Sequence, residues 1–193
     1  LRLYQAVREA VPVVDAAVCK LIRLSGGVKV LCDDLETQTA LRTFLERVNV
    51  GRGQHGIEAF LSQYLDSLLV YGGAVGEMVP AAGNRTLAAL LCGRLEQVEL
   101  REGESPLDFR ICGPDEHGSM AELPYQELLL FTPLHPEAAH PYGVSMLRGI
   151  PFMADILMKI YHTIGVNWER CGNVRFAVTC RDGEGSAAQR GQV

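Results

Sequence analysis

Glu127-Leu128-Leu129-Leu130-Phe131 opens the stretch whose reading decides the fold. It continues through a Pro/His connector, Thr132-Pro133-Leu134-His135-Pro136-Glu137-Ala138-Ala139-His140-Pro141, and Tyr142-Gly143-Val144-Ser145, and it ends at Thr179. Past the connector, Leu147, Ile150, Ala154, Leu157, Tyr161, Ile164 and Trp168 recur at alternating steps of three and four, which predicts one helical seam over residues 145–171. Such a helix is ~40 Å long at 1.5 Å per residue. A polar stripe runs beside the seam: Arg148, Asp155, His162 and Glu169 lie seven apart, with Lys159 next to them. Ser145 is placed to cap the helix. Pro151 either bends it or occupies the first turn of a helix that starts near Gly149. Residues 174–179 read as a second strand.

Upstream, residues 4–24 carry a helical stripe of Val7, Val11, Val14, Val18, Leu21 and Ile22. Pro12 predicts a kink or a restart within it, and Gly26-Gly27 predicts its end. Val28-Lys29-Val30-Leu31-Cys32 alternates like a short strand, a helix follows over residues 36–48, and Gly51 to Gly56 reads as a loop. Ile57, Phe60, Leu61, Tyr64, Leu65, Leu68 and Leu69 keep an unbroken helical pattern that Gly72-Gly73 stops. From there the signal is β: residues 74–80, 87–91, 97–100, 107–112 and 126–131, separated by turn formers. Helices, a block of strands without regular β-α alternation, one long helix and a terminal strand predict an α+β fold with a mainly antiparallel or mixed sheet.

At 193 residues the chain can bury a real core as one large domain or two small ones. Apolar residues make up 48% and charged residues 21%, and the net charge is −5, a balance that gives no general affinity for nucleic acid or anionic membrane. No apolar run is long enough to span a bilayer. Six widely spaced cysteines without a Cys-x-x-Cys fit neither a disulfide scaffold nor a zinc site, so reduced, mostly buried thiols are expected at Cys19, Cys32, Cys92 and Cys112. The start, Leu1-Arg2-Leu3-Tyr4, and the small polar residues after Arg181 read as cuts within a longer chain, the latter as a mobile tail.

No catalytic, metal or cofactor site is expected. His135, His140 and His162 with Glu137 and Asp155 contain no His-x-x-x-His pair. Asp33, Asp34 and Glu36 could suggest two-metal chemistry, but their place between a strand and a helix start favours N-capping, by Asp34 or Thr37. The glycines from 51 to 56 lack the Lys-Ser/Thr ending of a P-loop, and Ser145 is not in a Gly-x-Ser-x-Gly elbow.

Three motifs in order, Leu123-Pro124-Tyr125-Gln126-Glu127-Leu128, Pro141-Tyr142-Gly143-Val144-Ser145-Met146-Leu147-Arg148-Gly149-Ile150-Pro151-Phe152, and Lys159-Ile160-Tyr161 through Val166-Asn167-Trp168-Glu169-Arg170, resemble tailed-phage portal proteins. The likeness extends to the following Gly-Asn-x-Arg-Phe at Gly172. It implies a structural protein rather than an enzyme: a subunit of a ring, usually a dodecamer, at one capsid vertex of the virion. The ring is assembled in the host cytoplasm, and double-stranded DNA passes through its channel during packaging and ejection. The packaging motor (terminase) and head-completion proteins are the implied partners of the full-length chain, with no membrane. Residues 1–140 correspond to the wing, 141–172 to the first stem helix and 173–193 to the start of the clip. Leu147, Ile150, Leu157, Tyr161, Ile164 and Trp168 then form the candidate subunit seam, and Arg148, Asp155, Lys159 and Glu169 an ion stripe that sets the rotation between neighbours. An acidic balance suits a channel in which DNA slides, because each cation–phosphate contact adds salt-dependent affinity. The alternatives are a small metal-dependent hydrolase or nuclease domain built on the carboxylates or the connector histidines, and an adaptor that binds a partner helix.

Overall fold

The computed structural model describes residues 1–83, 86–105, 108–137 and 141–171. The fold is α+β, and the chain divides into two compact units, Leu1–Ala154 and Asp155–Val193. The strand expected at 174–179, the Gly-Asn-x-Arg-Phe motif, Cys180, His140 and the polar tail lie outside the described residues.

The first unit begins with helices α1 (Arg2–Ala10) and α2 (Pro12–Leu24). Of the two outcomes open for Pro12, the structure takes the restart: Val11 is extended and Pro12 enters the first turn of α2, where its missing N–H costs nothing. Arg8 joins three helices: its Nε donates to Asp15 at 2.6 Å and its Nη1 to both oxygens of Asp66 at 2.8 and 2.9 Å. Burial alone lowers the tendency of this guanidinium to hold its proton. The bonds to Asp66 and Asp15 outweigh that, and its pKa lies above the ordinary value.

Residues 28–32 are not a strand. The alternation is present, but no described backbone bonds to them, and Val28, Val30 and Leu31 are exposed. Helix α3 (Leu35–Arg47) follows, capped by Asp34, whose carboxylate accepts from Thr37 N at 2.7 Å. The expected glycine loop is instead a small hairpin, β1 (Asn49–Gly51) and β2 (Gln54–His55), with Gly53 at φ 73° in its turn. Next come helix α4 (Ile57–Tyr71) and strands β3 (Gly73–Pro80), β4 (Leu87–Gly93), β5 (Glu99–Glu102), β6 (Phe109–Pro114), β7 (Met120–Glu122) and β8 (Leu129–Pro133). Short 3₁₀ turns at Leu95–Gln97 and Gln126–Leu128 take the place of the first residues of two expected strands. β7 was not anticipated. It is three residues long, too short for periodicity to register.

The main sheet has the order β2-β1-β4-β3-β8, with β1 parallel to β4 and the other pairs antiparallel; β5-β6-β7 form a separate antiparallel sheet. Helix α4 lies on the main sheet. Phe60 and Tyr64, stacked with ring centroids 5.4 Å apart, join Val48, Val50, Ala74 and Leu90 in the core. Gly76 permits this approach, because a Cβ there would lie 3.1 Å from the Phe60 ring and 3.3 Å from Tyr64. Tyr64 keeps its hydroxyl satisfied through Thr132 Oγ1 at 2.7 Å and Ala74 O at 3.3 Å. Burial pushes the pKa of that phenol up.

Helix α4 ends at Gly72, in the left-handed region at φ 85°. A side chain there would strike Val144 and Ser145 at 2.5 Å, so glycine is required twice over. The connector then satisfies the carbonyls left open at this helix end. Met146 N donates to Leu69 O, Ser145 Oγ to Val70 O, and Leu134 N to Gly72 O.

Among the five described cysteines, all free, only Cys112 is buried; Cys19, Cys32 and Cys92 are half-buried and Cys171 is exposed. The expectation of mostly buried thiols is therefore corrected. Cys92 packs on the main core with its thiol pKa pushed up to about 11 by burial, whereas Cys19 lies on α2 and Cys32 in the exposed segment that precedes α3.

Candidate interface surface

The long helix, α5, spans Ile150–Cys171. It starts five residues later than Ser145, and Pro151 stands in its first turn, the second of the two arrangements open for this proline. Ser145 is not its cap. The hydroxyl is 7% exposed, donates to Val70 O at 2.5 Å and accepts from Leu147 N at 2.9 Å. It closes α4 and pins a turn, which residues 146–149 form before α5 begins.

This changes the membership of the candidate seam. Leu147 precedes the helix and is buried with Val18 and Val70, with Ile150 packed on the same cluster, so both belong to the core of the first unit. Leu157 is half-buried. Tyr161, Ile164 and Trp168 are 58%, 57% and 72% exposed. The ion stripe divides in the same way. Arg148 lies before the helix and pairs with Glu137 at 2.7 Å, while Asp155 and Lys159 pair with each other at 2.6 Å across one helical turn. Glu169 has no ion pair with a described residue.

At 100° per residue, the side chains of α5 fall into two sectors. Ala154, Leu157, Tyr161, Ile164 and Trp168 occupy one side of a mainly apolar arc, and Phe152, Met153, Ile156 and Ile160 the other, where Thr163, Asn167 and Arg170 interrupt them, so that the arc covers roughly 200° of the circumference. Asp155, Lys159, His162 and Glu169 share the remaining sector. Ala154 is the only residue of α5 that is buried. Phe152, Met153, Ile156, Met158, Ile160, Tyr161, Ile164 and Trp168 are all exposed. Apolar area of this extent usually marks a binding surface. None of the described helices is long and apolar enough to cross a membrane.

The other candidate groups do not assemble. Among the described residues no three His, Cys, Asp or Glu side chains come together in a way that holds a metal ion. Asp34 is engaged as a helix cap, and its carboxyl is held below the usual range by the bonds to Thr37. Sequence reasoning missed the role of Ser145 in closing α4. The available signal was Pro151, which favours a helix start at its own position over one six residues earlier. The chain matches no protein-family model and no curated protein.

Proposed function

We propose that this chain is part of a structural subunit of a phage portal ring, with α5 as the stem helix that neighbouring copies cover. The ring forms the capsid-vertex channel for double-stranded DNA, and the motor and head-completion proteins meet the full-length chain. The observation that carries the reading is the exposed apolar arc of α5, whose largest residue, Trp168, is 72% exposed. The likeness of residues 123–170 to portal proteins says which kind of partner covers it. A cyclic ring uses two different faces of each subunit. The two sides of the arc, Tyr161-Ile164-Trp168 and Phe152-Met153-Ile156-Ile160, supply two such faces. The internal pair of Asp155 and Lys159 leaves Glu169 as the member of the stripe free to meet a cation on a neighbour.

The test charges the seam. Leu157→Glu and Ile164→Lys should abolish association, read by sedimentation velocity and negative-stain imaging, while circular dichroism melts stay close to wild type. Unfolding of the variants would make the seam ordinary core. Normal rings would place the interface elsewhere. A wild-type chain that stays monomeric yet captures a partner helix would favour the adaptor reading.

A further inference from the structure

The motif Leu123-Pro124-Tyr125-Gln126-Glu127-Leu128 is not used by the α5 surface, and its geometry is unusual. Tyr125 sits in the left-handed region at φ 56°, where a bulky residue is strained. It is held there. Gln126 Nε2 donates to Ile111 O and Leu123 O, its Oε1 accepts from Ile111 N, all at 2.8 Å, and Leu128 N bonds Tyr125 O at 2.9 Å. The braced turn leaves the ring 70% exposed on the wall of a cleft of about 800 Å³. Met78, Leu87 and Leu129 contribute its apolar lining, and Glu77 and Glu127 its charge. Neither carboxylate has an ion pair with a described residue. β8, which lines the cleft through Leu129, is the last strand of the main sheet, and no other described backbone pairs with its outer edge.

A complementary element exists in the same chain. Residues 28–32 form no helix or strand, are apolar apart from Lys29, and have no backbone hydrogen bond to a described residue. Leu31 is 84% exposed, and Lys29 is exposed with no ion pair to a described residue. This segment lines a different groove, against α3 and the β1–β2 hairpin, and shares no residue with the Tyr125 cleft.

We infer that residues 28–32 of one copy dock in the Tyr125 cleft of a second copy, with Lys29 between Glu77 and Glu127 and the apolar side chains on Met78, Leu87 and Leu129. The occupant follows from chemistry. A backbone segment without bonds of its own is satisfied by a sheet edge, apolar side chains by an apolar cleft, and a lone ammonium by two lone carboxylates. A rigid, exposed aromatic is a common interface anchor, and the strain at Tyr125 is retained because Gln126 holds the turn. The contact joins different patches on the two partners, so each copy carries both a segment and a cleft. It requires only that two copies meet, and it does not depend on α5.

The test places a photocrosslinker at the aromatic position, Tyr125→p-benzoylphenylalanine, in an equal mixture of ¹⁵N-labelled and unlabelled chain. Irradiation should yield peptides joining residues 123–129 of one isotope to residues 28–32 of the other. In sedimentation, Lys29→Glu should weaken association about tenfold, and adding Glu77→Lys and Glu127→Lys should restore most of it. Circular dichroism confirms that each variant folds. Cross-links confined to single chains, cross-links to another segment, a charge reversal without rescue, or a chain that does not self-associate would each overturn the inference. Loss of this cross-link with the Ile164→Lys effect intact would leave the α5 reading standing, and the reverse result would leave this one.

Discussion

Helices α4 and α5 are both strongly apolar, yet they meet different fates. In α4, Phe60, Tyr64 and Val70 are buried, and the sheet, α2 and the connector supply cover on several sides. In α5, Ala154 alone is buried, and eight large apolar residues face solvent. Apolar content states how much cover a helix needs, not who provides it. For α4 the provider is the same chain. For α5 the cover proposed above is other copies.

The sharpest break of this comparison replaces one aromatic on each helix. Phe60→Ala should lower the unfolding free energy by about 3–5 kcal/mol, because it removes a stacked ring from a closed core. Trp168→Ala should change it by no more than about 0.5 kcal/mol in the unassociated chain. Urea denaturation of both measures the difference. A large loss for Trp168→Ala would mean that α5 is covered by its own chain after all.

Ser145 lies at the junction between the two helices. Ser145→Ala leaves Val70 O and Leu147 N without their partner in a buried setting, and should cost about 1–3 kcal/mol. If Ser145 were instead a cap of α5, helical content would fall along with stability. The expected result is a lower melting temperature with the helical signal unchanged.

Smaller effects follow on the solvated faces. Lys159→Ala breaks an exposed pair with Asp155 and should cost about 0.3–0.5 kcal/mol at low salt, vanishing at high salt. A larger, salt-resistant effect would show that the polar sector of α5 is covered too. Asp34→Ala removes the cap of α3, with an effect that depends on pH. The carboxyl has a depressed pKa when folded, so its contribution is present above its ordinary value, about 3.9, and is lost as pH falls through the folded one. The melts of variant and wild type should therefore differ at pH 7 and converge in acid.

The sequence by itself determined the elements whose signals are local. The pattern from Ile57 to Leu69 with its Gly72-Gly73 stop, the break at Pro12, a cap at Asp34 or Thr37, the strands around 74–80 and 87–91, and the α+β class all follow from side-chain period and backbone sterics, which need no partner. Where the outcome depends on a neighbour in space, the tertiary structure decided. Residues 28–32 alternate as a strand does, but a strand exists only when another backbone accepts its bonds. Ser145 has a good capping side chain, and the carbonyl of Val70, 75 positions away in the chain, claims it first. Leu147 keeps the heptad spacing of Tyr161 and Trp168, but it lies ahead of the helix and packs on Val18 and Val70. Spacing specifies which residues can share a face. Whether that face is core or surface is set by what else the fold brings against it.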